Sequence, residues 1–407
     1  MLELTQEQVR NLVLDVQGLR TGKPLTSTLA VAKRIHNIQI DTISVVSRSH
    51  NLILFNRFPK YTEGEVWKHQ RKRKLFEYWS HAMCLMPMTS FPYYAWKMAR
   101  MRERKNGWYV EWGLKNRNIV DAVYEKVKND GVTRSKDLGE STRPSNGWWD
   151  WKKEKRALEF LMTQGRLMVA YREGFQKHYD ITERVVPVGI DTSPMSDEDV
   201  SRYVVDTAFQ SLGVADYRDI KWYTGSMVAS NLWNNQRGAI ENYLSSLVGD
   251  LLEEVDFGQK GRYFIYRKYA NKADKQTTLP DDVPIKLLTP FDNIMRERHY
   301  PLAIWNFDYK IECYVPEPKR VFGYFALPIL DQNELRGRVD AKVHRNIGVL
   351  ELKTISIESN ELSNSDGINR IVNGVKSFAE FHGCNQIKVG SVRPKRLKST
   401  LVSAFAS

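Results

Sequence analysis

The stretch from 116 to 187 constrains the fold most, because three helical patterns in it run directly into a hairpin pattern. Asn118–Val127 carries apolar residues at helical spacing and stops near Asp130-Gly131. Thr133–Leu138 reads as a short second helix. After a loop of Pro, Gly and Ser at 141–147, Trp151–Gln164 resumes helical spacing. Ala157, Leu158, Leu161 and Met162 share its inner face, and Gly165 is placed as its C-cap. Leu167–Tyr171 and Phe175–Asp180 flank the turn Arg172-Glu173-Gly174, which predicts a β-hairpin. Three helices followed by a hairpin is the order of a winged helix, whose third helix usually enters the major groove of DNA. That places Lys152, Lys153, Lys155 and Arg156 near phosphates. A solvated helix face accounts for the same charges.

Charge points the same way. The 407 residues hold 61 Lys+Arg against 48 Asp+Glu, a net charge of +13. Such a surplus favours a polyanionic partner, because each cation placed on a phosphate releases condensed counterions. A basic enzyme with no such partner is the alternative. Cys84, Cys313 and Cys384 are too scattered for a disulfide framework or a zinc site, and the eight histidines show no metal-ligand spacing. No metal or other cofactor is expected. The N-terminus lacks a basic stretch followed by an apolar one, and no run reaches about 18 apolar residues. A soluble, cytoplasmic, bacterial protein is expected, with no membrane partner.

Elsewhere the pattern is mixed. Gln6–Leu14 is read as a helix with Glu7 completing its cap, Thr26–His36 as a second helix, Asn37–Asp41 as a strand, and Ser47–Phe55 as the start of another helix. The run Lys68-His69-Gln70-Arg71-Lys72-Arg73-Lys74 precedes Phe76, Tyr78, Trp79 and His81. A like-charge run is ordinarily a solvated face, but aromatic interleaving in a basic chain favours nucleic acid. Residues 196–270 repeat the winged theme, with helices at Asp197–Ser211 and Tyr217–Trp222, a long helix at Gln236–Val255 and a strand at Arg262–Arg267. After a polar boundary at Ala270–Asp282 come strands at Ile311–Val315, Phe322–Pro328, Arg336–His344 and Gly348–Thr354. A helix at Gly367–His382 and a strand at Gln386–Val392 close the chain.

One tripeptide stands out for chemistry. If Ile38–Asp41 is a strand, its isoleucines face the core while Gln39 and Asp41 point together to the other side. An amide beside a carboxylate can hold a water, and the carboxylate can stabilise positive charge developing on a sugar. Asp41 could equally serve as an Asx turn or helix N-cap before Thr42-Ile43-Ser44, with Gln39 an ordinary strand residue.

Several stretches bear on that choice together: Ile38–Val46; Leu75-Phe76-Glu77-Tyr78-Trp79-Ser80-His81-Ala82; Tyr179–Val185; Leu288-Thr289-Pro290-Phe291-Asp292-Asn293; and Gly337-Arg338-Val339-Asp340-Ala341-Lys342. In combination they resemble the AlkZ/YcaQ-like winged-helix DNA glycosylases that unhook interstrand crosslinks. The resemblance implies an α+β fold of tandem winged helices followed by a C-terminal β-rich domain. The expected segments are 1–110, 111–190, 191–275 and 276–407. It also implies catalysis by Gln39 and Asp41, in the aspartate version carried by the family's general repair branch. The expected reaction is hydrolysis of the glycosidic bond of cationic N7-alkylated purines, crosslinks included, leaving abasic sites. The expected partner is double-stranded DNA carrying such lesions, engaged by a monomer. Arg48, His50, His81, Lys152, Lys153, Arg156, Arg338, Lys342 and Arg345 are the candidates for facing DNA. For Arg338, Asp340, Lys342 and Arg345 the alternative is a salt-bridged hairpin. The competing functions are a winged-helix transcription regulator, which would need dimer symmetry, and a non-catalytic damage-binding protein.

Overall fold

The hairpin that ends the 116–187 stretch forms, with its turn displaced. In the computed structural model, which describes residues 1–20, 24–138, 153–273 and 282–406, Leu167–Glu173 pairs antiparallel with Gln176–Ile181. Only Gly174 and Phe175 lie between, with φ of 53° and 70°. Two left-handed residues give a connection whose twist matches the flanking strands. Arg172, expected in the turn, stays in the strand. The helices before the hairpin are Arg117–Asp130 and Lys153–Thr163. Between them Thr133–Arg134 joins the sheet and Ser135–Leu138 is a single 3₁₀ turn, not a full helix. Val120, Val123, Val127, Ala157, Leu158, Leu161 and Val169 close the core of this winged helix. Gly165, at φ 68°, ends the third helix, and a Cβ there would collide with the Met98 side chain. Lys152 and the loop at 141–147 lie outside the described residues.

Contacts divide the chain into two units: Met1–Glu63 with Val205–Ser407, and Gly64–Val204. This is coarser than the four segments expected above, which we retain as a proposal. The second unit also holds the hairpin Leu75–Trp79/Met83–Pro87 and the helix Phe91–Glu103. Here Arg172 meets Glu77, its Nη2 and Nε donating to the two carboxylate oxygens at 2.6 and 2.7 Å. The pair is buried and bidentate, and it holds Glu77 below the usual carboxylate range despite burial.

The first unit begins with the short strand Leu2–Glu3, followed by the helix Gln6–Gln17. Its cap is a reciprocal box between Thr5 and Gln8, so the expected role of Glu7 falls to the next residue. A second wing follows Tyr217–Thr224 and Arg237–Ser246, built by Leu252–Asp256 and Tyr263–Tyr266. The long helix expected at Gln236–Val255 is therefore wrong. It stops at Ser246, Gly249 turns the chain at φ 91°, and Leu252–Asp256 is a strand. A helix at Ser226–Trp233 was not foreseen.

The C-terminal part is a five-stranded sheet in the order Lys286–Leu287, Leu327–Asp331, Glu334–His344, Val349–Ile357, Gln386–Arg393. The first four strands are antiparallel, and the last runs parallel to its neighbour after the helix Ser365–Phe381. That helix buries Ile368, Ile371, Val375 and Phe378 on the sheet, in a core that also takes in Val46 and Leu52. The segment following the Gln39-Ile40-Asp41 tripeptide is thus packed into the C-terminal core. The strand expected at Ile311–Val315 is irregular, and the one expected at Phe322–Pro328 starts only at Leu327 and runs to Asp331, with Pro316 and Pro318 in the loop between them.

Candidate active site

The tripeptide lies between two helices, Thr28–Ile35 and Ser49–Arg57, and both flanks are tied down. Asn293 Nδ2 donates to Ile35 O at 3.0 Å on the upstream side. Downstream, Thr289 Oγ1 donates to Ser49 Oγ at 2.9 Å, and Arg57 donates from Nη1 and Nη2 to Asp292 at 2.7 and 2.8 Å. Arg57 and Asp292 are both wholly buried, so this is a charge pair with no water to share it. The Thr289-Pro290-Phe291-Asp292-Asn293 stretch therefore works as a bracket on the loop between the helices. A second bracket comes from the C-terminal sheet, where Val343 N–H donates to Val45 O at 3.3 Å and Arg345 Nη2 to Val46 O at 2.5 Å.

Within the loop, the strand is only Ile38–Gln39. Ile38, Gln39 and Ile40 are all buried, so the expected alternation of a buried and an open face is not realised. Asp41 sits beyond the strand and is half-buried. Its Oδ1 accepts from Ile43 N–H at 2.6 Å, the Asx turn that the sequence allowed. Its Oδ2 accepts no hydrogen bond among the described residues. Burial raises the Asp41 pKa above its ordinary 3.8, partly offset by the Ile43 hydrogen bond. A carboxylate fixed by one oxygen, short of solvation and free at the other is suited to facing a cation.

The surroundings of Asp41 include residues that the sequence did not flag. Burial and the Asp41 charge raise the Cys313 thiol, while Arg298 and Arg320 oppose them. Tyr314, next in the chain, is raised by Cys313, burial and Asp41, yet its side chain is 91% exposed. The loop carrying both is stiffened by Glu312, whose carboxylate accepts from the N–H groups of Val321, Phe322 and Gly323 at 2.9–3.0 Å. Arg320 Nε closes it with a bond to Val315 O at 2.8 Å. The signal available beforehand was the pair of prolines that make this segment a loop. A second carboxylate, Asp340, lies beneath it. Burial raises its pKa, Oδ1 has no hydrogen-bond partner among the described residues, and Gly323 packs so closely that a Cβ would overlap it.

The other candidates scatter. Arg48 is half-buried, and His50 is buried at the start of Ser49–Arg57. Arg338 is not on an open face. Its guanidinium is bound to Glu358 at 2.8 Å and to Asp308 O at 2.8 Å, and it lies 4.0 Å from the Phe322 ring centroid. The salt-bridged alternative is the one realised for it, while Lys342 and Arg345 are exposed. The reason is local cover: the Phe307, Tyr309 and Phe322 rings, Glu358 and Asp308 O enclose its guanidinium, whereas the register irregularity at Asp340/Ala341 adds Lys353 to the neighbouring strand. In the other unit, Lys153 is exposed, and Arg156 is engaged by Trp108 and Trp112 at 4.1 and 4.9 Å. His81 Nδ1 lies 4.0 Å from Cys84 Sγ on a turn that Lys97 fixes by donating to Trp79 O and Ser80 O. Among the described residues, no group of three His, Cys, Asp or Glu side chains could hold a metal ion.

Two winged helices and a C-terminal five-stranded sheet in one chain define the class as a tandem winged-helix α+β protein. The family profile of DNA glycosylase AlkZ-like proteins matches residues 32–364, and the chain belongs to this family. It is a DNA glycosylase with tandem winged helices and a C-terminal β-rich domain. Among solved structures it is similar to Streptomyces sahachiroi DNA glycosylase AlkZ, with a TM-score of 0.65 at 16% identity. The match covers 96% of this chain and 100% of that one.

Proposed function

We propose that the protein is a monofunctional glycosylase that releases N7-alkylated purines, including purines joined in interstrand crosslinks, and leaves abasic sites. The observation that carries this reading is the Asp41 carboxylate, held by Oδ1 in the Asx turn with Oδ2 unengaged among the described residues. Alkylation at N7 makes the purine a cationic leaving group, so no strong general acid is needed. What remains is to stabilise the oxocarbenium-like sugar and to deliver water. Asp41 does the first and polarises the water; Gln39 orients it. The C1′–N9 bond breaks with its electron pair going to the purine. Water adds to C1′, and its proton passes to Asp41.

The lysines argue for hydrolysis over an amine nucleophile. Burial lowers Lys97 and Lys286 to about 8, the range in which an amine attacks. Both ammonium groups are spent on backbone carbonyls, Lys97 on Trp79 O and Ser80 O and Lys286 on Asn56 O. The aspartate in the third place favours a general repair role over protection against one natural product, and the proposed acting form is a monomer. The test is incubation with a duplex crosslinked by nitrogen mustard, followed by alkali. Unhooked strands that break at the crosslinked purine are expected. A duplex left crosslinked would confine the activity to monoadducts, and binding without base release would make this a damage-recognition protein.

A further inference from the structure

The basic run Lys68–Lys74 is not one face of a helix. The helix Glu65–Arg71 stops inside it, and its C-terminus is a Schellman turn: Lys74 N–H donates to His69 O at 3.0 Å and Arg73 N–H to Gln70 O at 2.8 Å. In that motif the penultimate residue is left-handed, a place that favours glycine. Here it is Arg73, at φ 57°. Lys68, Arg71, Lys72, Arg73 and Lys74 are all exposed. Two carboxylates lie near, Glu65 at 3.5 Å from His69 and Glu173 at 3.9 Å from Arg71. Lys68, Lys72, Arg73 and Lys74 form no ion pair among the described residues. The Arg71 guanidinium is seated 4.0 Å above the Tyr171 ring, which itself stacks on His178 at 4.3 Å.

Cations at a helix C-terminus do complement its dipole. Any cation in the last turn would serve that purpose, and the left-handed slot would still be better filled by glycine. An arginine kept in a backbone conformation that disfavours it, among uncompensated lysines, points to a ligand for the side chain. A pre-set arginine with four flexible or stacked cations around it matches the spaced negative charges of a nucleic-acid backbone.

We propose that Lys68, Arg71, Lys72, Arg73 and Lys74 form a clamp on the phosphodiester backbone of duplex DNA. The clamp rests on duplex DNA being the substrate, and it assigns to this turn a share of affinity with no sequence preference. The test is binding of the full chain to an undamaged duplex across a salt series. Each lost phosphate contact should lower the slope of log K against log salt by about 0.9, so Lys72→Ala with Lys74→Ala should lower it by roughly 1.8. Arg73→Gly should lower the slope by about 0.9 while leaving the melting temperature at or above that of the parent. Slopes equal to the parent's in these variants would overturn the clamp, as they would if the ridge met an acidic protein instead. So would a lower melting temperature in Arg73→Gly, which would make Arg73 a structural residue. If the parent itself shows no salt-dependent duplex binding, the duplex reading fails along with the clamp.

Discussion

At the scale of single residues, Asp41 combines a stabilising hydrogen bond with an unfavourable location. Because burial raises its folded pKa above the unfolded value of 3.8, the folded state holds the proton more tightly. Stability is therefore lost as pH rises through that window, and the ionised carboxylate costs stability at neutral pH. Asp41→Asn keeps an oxygen for the Asx turn and removes the charge. Its melting temperature at pH 7 should equal or exceed that of the parent, with the difference vanishing below about pH 4, where both states are protonated. A lower melting temperature at pH 7 would mean that the carboxylate is there for structure. The same shift predicts an acid limb in base release whose midpoint lies above 3.8, since only the anion stabilises a sugar cation. A pH-independent rate down to that value would contradict it.

At the scale of elements, the Thr289–Asn293 bracket makes the loop a property of the C-terminal half of the chain. Removing one partner of the buried Arg57–Asp292 pair leaves an uncompensated charge, at a cost of about 3–5 kcal/mol. Asp292→Ala should therefore lower stability by that amount in chemical denaturation, whereas a loss under ~1 kcal/mol would mean that the pair is not a tether. This bracket also marks what the sequence could convey. The winged helix at 117–181 was legible because its helices and hairpin are local, with periodicity and turn glycines to mark them. The resemblance picked out the Thr289–Asn293 stretch, but its role was not legible, since its partners lie more than 230 positions away. Periodicity erred at 236–255, where a turn inside an apolar pattern separates helix from strand. It erred again at Arg338, where the Phe307 and Phe322 rings and Glu358 cover a side chain that alternation alone exposes. In the candidate site, Gln39 and Asp41 were readable by resemblance. Cys313, Tyr314 and Arg320 come from a proline-broken loop whose position no local pattern encodes.

At the scale of the whole molecule, the reaction proposed for this basic DNA glycosylase uses one carboxylate and water. It requires that no covalent bond to the protein forms. Borohydride added during turnover should trap no protein–DNA adduct, and the product should remain unbroken until treated with alkali. A trapped adduct would point to an amine nucleophile and reopen Lys97 and Lys286, which the structure commits to backbone carbonyls. The most direct measurement is single-turnover release of N7-methylguanine from a duplex by Asp41→Asn, with folding checked in parallel. The account predicts a rate lower by roughly 10²–10⁴-fold, the range for losing a positioned acid–base or electrostatic group. Release at the parent rate by a folded Asp41→Asn protein would contradict it.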